Sequence, residues 1–311
     1  MSVFGGARVV VTGSAGFIGT HLVRELDLAG ATVTGIDRRP PSFDSPGAHL
    51  HLDLLAPVAG AILRDVLGSA DLVFHLAARP GVRATGPTLE GERRRDNVDA
   101  GRVVLGLTPL DVPIVVTSSS SVYGGARSSG LGVRPSRETD PLAPRGGYAR
   151  SKAALEALCH ERAVRGGAVA VARPFTVSGD GQRPDMALSR WLRAGAEGRP
   201  LEVLGSLARA RDVTDVHDVV RGLLALGQRG ETVTVNLGTG RPRTLAELVD
   251  AVAAVLGRPV DLRIRPAGDE EPVVTRADTT RCRHVCGFVP RTDLSRLVAC
   301  QWASLSPAVA A

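Results

Sequence analysis

At 311 residues the chain is long enough to bury a large core, as one domain or two. Its 43% hydrophobic and 23% charged residues are those of an ordinary globular protein, and no apolar run approaches the roughly 20 residues a bilayer crossing needs. The net charge of +6 is carried almost wholly by scattered arginine, without a basic block or aromatic-basic interleaving, which speaks against nucleic-acid binding.

The amino terminus, MSVFGGARVVVTG, enters a predicted strand directly. No basic region, apolar stretch and cleavage site precede it, so the expected location is cytoplasmic, with no membrane association. Cys159, Cys282, Cys286 and Cys300 show no zinc-type pairing; they read as reduced thiols, and no metal is expected. Lys152 is the only lysine, and Tyr123 and Tyr148 are the only tyrosines. Survivors of so strong a bias call for a chemical reason.

Short runs of Val, Leu and Ile predict buried strands over 8–12, 32–37, 72–76, 114–118 and 168–173. Helical patterns over 16–29, 97–107 and 148–164 lie between them. Strand–helix–strand alternation predicts a doubly wound parallel sheet, α/β in class, with both faces covered. The first strand runs into Gly13-Ser14-Ala15-Gly16-Phe17-Ile18-Gly19 and then a helix. Gly13 permits the tight turn, Gly16 lets backbone approach a pyrophosphate, and Gly19 lets helix and strand pack closely. The phosphates would rest on the free N–H groups of the helix start. Asp37 ends the second strand, placed to accept from ribose hydroxyls, which favours NAD over NADP. Arg38 and Arg39 follow, and either is also placed to meet a 2′-phosphate. Asp53 and Leu54 follow a third short strand and are candidates for the adenine. His75-Leu76-Ala77-Ala78 ends the next strand with small residues suited to a close dinucleotide backbone; His75 itself reads as a packed strand residue.

Ser118, Ser119, Ser120 and Ser121 leave the 114–118 strand at its C-terminal end, where ligands of open α/β sheets collect. Tyr148-Ala149-Arg150-Ser151-Lys152 puts a phenol and an ammonium four residues apart on one helix face. A nearby cation favours the phenolate, so the pair reads as a general base with its electrostatic support. Segment 126–136 is expected to be a mobile loop. Beyond Pro174 the pattern is irregular: short strands are expected over 201–203 and 211–214, and a helix over 244–256 with a Thr244/Glu247 capping box. The expected division is 1–174 for the cofactor domain, with 216–240 returning to it, and 175–311 for a smaller α/β substrate domain.

Together these residues resemble the extended short-chain dehydrogenase/reductase superfamily, in its nucleotide-sugar epimerase/dehydratase family. The resemblance runs from Val9 to about Trp302 and is strongest to UDP-glucose and UDP-glucuronate 4-epimerases. It rests on His75–Arg83, Asn97-Val98, Arg173–Ala187, Arg211-Asp212, Asn236–Gly240 and Gly268-Asp269. It implies a Rossmann-type fold, Ser119, Tyr148 and Lys152 as catalytic residues, bound NAD, and a homodimer. The implied cofactor contacts are Gly13, Gly16, Phe17, Ile18, Gly19, Asp37, Arg38, Asp53, Leu54, Leu76, Ala77, Ala78, Asn97, Ser118, Tyr148, Lys152 and Pro174. For a UDP-sugar they are Arg83, Ser119, Ser120, Thr176, Arg183, Met186, Arg211 and Asp269, the last two at the nucleotide diphosphate or ribose. Related 4,6-dehydratases carry an Asp-Glu pair just before Val-Tyr-Gly, and decarboxylases a Glu; this chain has Ser120-Ser121, which leaves C4 epimerisation through a 4-keto sugar. A 4-ketoreductase of a deoxysugar nucleotide, consuming reduced cofactor, is the alternative, and a non-catalytic nucleotide sensor is opposed by the complete Ser/Tyr/Lys set. Arg183, with Thr176 and Ser120, is the expected reader of a sugar 6-carboxylate; its alternative roles are to order the domain junction or grip the diphosphate. Ser178 replaces the tyrosine usual in the family's Val-Tyr-Gly and is expected to open space or add a hydroxyl beside the sugar.

Overall fold

The structure, a computed structural model, describes residues 4–41, 45–81, 86–129 and 132–309. β1 (Arg8–Thr12), α1 (Phe17–Leu28), β2 (Thr32–Asp37) and β3 (Ala48–His51) build outward in one direction. α2 (Ala59–Gly68) carries the chain back to β4 (Leu72–His75), which pairs with the other edge of β1. α3 (Pro87–Arg93), a π-helical segment (Arg94–Asp99) and α4 (Ala100–Leu107) lead to β5 (Ile114–Thr117). The 97–107 helical pattern is therefore the end of a longer helical run that widens at Asn97. A 3-10 turn (Ser120–Tyr123), β6 (Arg127–Ser129), β7 (Gly132–Arg134) and α5 (Gly146–Val164) precede β8 (Val169–Pro174).

β9 (Thr176–Ser178), α6 (Ala187–Ala196), β10 (Leu201–Leu204), β11 (Ala210–Arg211), β12 (Val213–Asp215) and α7 (Val216–Arg229) follow. β13 (Val233–Leu237), β14 (Arg243–Thr244), α8 (Leu245–Leu256), β15 (Leu262–Arg265), α9 (Thr280–Cys286) and α10 (Leu294–Val309) complete the chain. The main sheet has seven strands in the order β13-β8-β5-β4-β1-β2-β3, every pair parallel. Among the described residues no helix is long and apolar enough to cross a membrane.

Strand alternation divides the core. Val9 and Val11 of β1 join Leu22 and Leu26 of α1 and Val216, Val219, Leu223 and Leu226 of α7 on one face. Val10 points the other way, to Leu63 and Leu67 of α2, Val104 of α4 and Leu155 of α5. With both faces covered, β4, β5 and β8 are buried at every position. A third cluster joins α6, α8 and α10 around Leu201 and Val203 of β10.

Two local expectations change. The 126–136 segment is a hairpin, with β6 and β7 paired antiparallel; residues 130 and 131 lie outside the described set. The strand expected over 211–214 breaks at Asp212, because that carboxylate turns inward to accept from the backbone N–H groups of Thr239, Gly240 and Ala277. β11 then pairs with β14 and β12 with β9.

α8 starts with a complete capping box: Glu247 N–H donates to Thr244 Oγ at 3.1 Å, and Thr244 N–H donates to Glu247 Oε2 at 2.7 Å. Since α8 supplies much of the third cluster, Thr244→Ala is expected to lower the unfolding free energy by about 1 kcal/mol with an unchanged denaturant slope, read by urea titration.

Candidate active site

β1 and β4 are neighbours in the sheet although β2 and β3 separate them in sequence, so strand order reverses between them. A crevice for ligand opens outside the C-terminal strand ends at such a point. Gly13 closes the turn with φ 75°, and a Cβ there would lie 2.6 Å from Ala77 N. A Cβ on Gly19 would run into the Gly13 carbonyl. The loop is thus built with backbone against backbone, Leu76 and Ala77 behind it, and no side chain caps the start of α1 at Gly16. Such uncapped N–H groups, beside a glycine turn, suit a pyrophosphate.

Asp37 stands at the end of β2 and accepts from Ala15 N–H at 3.1 Å and Arg39 N–H at 2.9 Å. The two arginines that were alternatives for a 2′-phosphate have other partners. Arg38 forms a paired bond to Asp96, at 2.7 Å on the shorter arm, and Arg39 donates to the Ala15 carbonyl at 2.7 Å. Arg95 bridges Asp53 and Asp96. Burial pushes the Asp53 carboxyl up, but the Leu55 N–H and the Arg95 guanidinium outweigh it and hold it below its ordinary range. Leu54 is buried in the core. The carboxylate at the ribose position, with both guanidinia engaged, fits NAD.

Across the crevice, α5 carries Tyr148 and, one turn on, Lys152. The Ser119 hydroxyl accepts from Ser121 N–H at 3.1 Å and lies near enough to the Tyr148 phenol to favour its ionised form. Ser119, Tyr148 and Lys152 are therefore brought to one place. Burial raises the Tyr148 phenol above its usual value; Ser119, Arg183 and Arg93 act in the opposite sense and favour the phenolate. Lys152 is 2% exposed and donates to the Thr117 carbonyl at 2.7 Å. Burial lowers it to about 8, against the pull of Cys159 and Glu156. Arg183 and Arg93 thus add positive charge at the phenol, beside the Lys152 the sequence pointed to one turn along α5. Ser118 spends its hydroxyl on Glu156, so its side chain faces the framework below the crevice.

On the substrate side, Arg183 makes a paired bond to Asp185, at 2.9 and 2.6 Å, and its guanidinium approaches the Met186 sulfur. Thr176 is half-buried on β9, and Ser120 opens the 3-10 turn beside Ser119. Arg211 pairs with Glu271 at 2.9 Å, while Asp269, two residues earlier, is exposed. Ser178 is buried and accepts from Gln182 Nε2 at 3.0 Å, within a cluster completed by Ser189 and Gln301. Its hydroxyl serves that cluster, which goes against the expectation of an added hydroxyl beside the sugar. Arg83 lies outside the described residues.

Residues 9–238 match the model of the NAD dependent epimerase/dehydratase family. The chain belongs to that family. An uncharacterised UDP-glucose epimerase of Bacillus subtilis is 31% identical over 92% of this chain and 94% of its own. MoeE5, solved with UDP-glucose and NAD, is 38% identical with a TM-score of 0.87, covering 97% of this chain and 99% of that one. The UDP-glucuronic acid 4-epimerase of Bacillus cereus, solved with UDP-glucuronic acid and NAD, is 25% identical, with a TM-score of 0.87 and the same coverage. The chain is an NAD-dependent enzyme of the extended short-chain dehydrogenase/reductase class.

Within this family member the framework below the crevice was not apparent from sequence. Glu156, one turn after Lys152, forms a paired ion bridge with Arg173, 2.6 Å on its shorter arm. Arg173 also donates to Tyr123 Oη at 2.7 Å, and Tyr123 donates to Asn236 Oδ1 at 2.7 Å. Burial pushes the Tyr123 phenol up to about 12, so the second tyrosine stays neutral. Asn97, in the π-helical segment, accepts from Arg79 N–H and donates to Ser151 Oγ at 2.8 Å, fixing the chain after β4 to α5. Arg93 donates to the Gly81 carbonyl and is 1% exposed. Only its place in an arginine run, Arg93-Arg94-Arg95, hinted at a special role.

His75 is packed as expected. Its Nδ1 meets Thr12 Oγ at 2.8 Å. Burial, then the charge of Lys152, lowers it to about 3, so the folded state holds it neutral. An unfolded chain takes up this proton near the ordinary value of 6.5. Stability from His75 is therefore complete above that value and lost as pH falls toward about 3. Between pH 6.5 and 5, the wild type should lose about 1 kcal/mol per pH unit more than His75→Asn, measured by denaturant unfolding of both.

Proposed function

We propose that this enzyme is a UDP-sugar 4-epimerase and that it favours UDP-glucuronate, interconverting it with UDP-galacturonate, over UDP-glucose. What supports the reading is that Arg183, paired with Asp185 beside Met186, lies near enough for its charge to favour the Tyr148 phenolate that would handle the 4-hydroxyl. A guanidinium there is within reach of a carboxylate on the neighbouring C5 substituent, and its planar fork suits two charge-assisted bonds. Bound NAD supplies reversible hydride acceptance at C4. Tyr148 takes the 4-hydroxyl proton and later returns it, and Ser119 donates to the oxygen or phenolate that carries negative charge. Lys152 holds its ammonium at the Thr117 carbonyl, one turn from the phenol. Arg211 anchors the nucleotide diphosphate, so the 4-keto sugar can turn over without leaving. Ser120 and Ser121 stand where related dehydratases and decarboxylases carry carboxylates, so these two positions offer no base for elimination. The 175–311 part holds the sugar nucleotide, and a homodimer in the cytosol completes the reading on family likeness.

The deciding experiment incubates the protein with UDP-glucuronate and no added cofactor, expecting a C4 epimer at catalytic turnover. A stoichiometric demand for NADH or NADPH would instead support a ketoreductase. Tyr148→Phe is expected to lower kcat by about 10²–10⁴-fold while NAD affinity, read by titration, stays nearly the same.

Arg183→Ala is expected to lower kcat/KM for UDP-glucuronate about 10–100-fold, the weight of a lost charge-assisted pair, with a much smaller loss for UDP-glucose. Equal losses for both sugars would assign Arg183 to the diphosphate.

A further inference from the structure

Three side chains far apart in sequence meet beside the cofactor helix: His21 on α1, Asp180 in the loop after β9, and His217 in the first turn of α7. His217 Nε2 lies 3.3 Å from Asp180 Oδ1. His21 Nε2 lies 3.8 Å from Asp180 Oδ2 and 3.0 Å from the Asp180 carbonyl. One ligand atom from each residue falls within 4.8 Å of the other two. The imidazoles meet edge to face, with centroids 4.9 Å apart, and Phe17 flanks His21 at 5.9 Å.

The two histidines stand on a rigid base, because α1 and α7 share one core cluster through Leu22, Val23, Val216 and Val220. Asp180 is unusual in this chain. Although 38 residues are arginine or lysine, among the described residues its side chain meets only the two imidazoles. Two imidazole nitrogens and a carboxylate are the donor set zinc and its neighbours favour. With metal–ligand bonds of about 2.0–2.1 Å, tetrahedral donors sit about 3.4 Å apart. The 3.3 Å from His217 Nε2 to Asp180 Oδ1 matches that spacing, whereas the three ligand atoms together span up to 4.8 Å. His21 Nε2 must release the Asp180 carbonyl to bind a cation, and His217, 60% exposed, is free to close on it. The same exposure leaves room for water as a fourth donor.

We propose that His21, Asp180 and His217 bind a divalent transition cation of the zinc class, which clips the loop carrying Arg183 to the helix that starts at the cofactor phosphates. The cation's role is structural, because Asp180 is three residues before Arg183, and Gly181 lies 4.0 Å from both Phe17 and His21 at its would-be Cβ. None of the three ligands is among the groups assigned to the reaction, and the readouts are cation binding and thermal stability, so failure here is distinguishable from failure of the epimerase reading.

The test uses full-length, tag-free protein holding NAD, treated with chelator and then titrated with Co²⁺. Binding is expected to give the strong visible bands of low-coordinate cobalt, displaced by Zn²⁺. At a hundredfold excess over Kd the melting temperature should rise about 4 °C. His217→Ala, a surface change, and Asp180→Asn should each abolish both the bands and the thermal rise. Absent bands, an absent thermal rise, or bands that persist in His217→Ala would overturn the proposal.

Discussion

Glu156 and Arg173 face one another with side chains 10% and 6% exposed, and the machinery of the site is strung from that pair. Removing two charges from water costs several kcal/mol per ion, which is offset only when geometry and further hydrogen bonds are good. Here they are. Arg173 gives two donors to Glu156 and another to Tyr123, and Ser118 donates to Glu156 as well. Four elements are thereby joined: α5 through Glu156, β8 through Arg173, the exit of β5 through Ser118, and the 3-10 turn through Tyr123. Ser119 follows Ser118, and Lys152 sits one turn before Glu156. The ion pair thus sets where the serine meets the phenol. Loss of either partner would strand a buried charge, at about 3–5 kcal/mol.

Around this anchor the parallel sheet assigns work by position. The β1–β4 junction is built of glycine backbone and small side chains, while the exit of β5 and the start of α5 bring the Ser119 hydroxyl and the Tyr148 phenol together. Neutral and charged groups are kept apart by burial: His75 stays uncharged beneath Lys152, and Tyr123 stays protonated beside Arg173. Arg183, in the loop after β9, acts across to α5. Its partner Asp185 holds it in place, and its charge reaches the phenol of α5.

The local parts of this arrangement were legible in the sequence. Gly13, Gly16 and Gly19 carry their meaning in spacing, Asp37 in its place at a strand end, and Tyr148 with Lys152 in helical periodicity and scarcity. Contacts across the fold were not legible. Nothing local separates Asp269, exposed, from Glu271, which meets Arg211, because both lie in one acidic loop segment. Ser178 looked available to the sugar because Gln182, Ser189 and Gln301 come from different elements and meet it only after folding. Asp212 appeared as a strand residue, yet its carboxylate breaks the strand by taking three backbone N–H groups. The Arg93 guanidinium near the phenol, and the meeting of His21 with His217, likewise depend on tertiary placement and leave no spacing rule behind.

Lys152, buried against the Thr117 carbonyl, has a consequence for chemistry done on the protein by others. Apart from the chain's own α-amino group, acylating reagents, reductive methylation and enzymes that modify lysine find one ε-amine in the whole molecule, and it lies inside the site. The guanidinia of the arginine-rich exterior carry no ε-amine for such reagents to modify. Any ε-amine label acquired by the folded enzyme therefore reports on openings that expose this buried side chain.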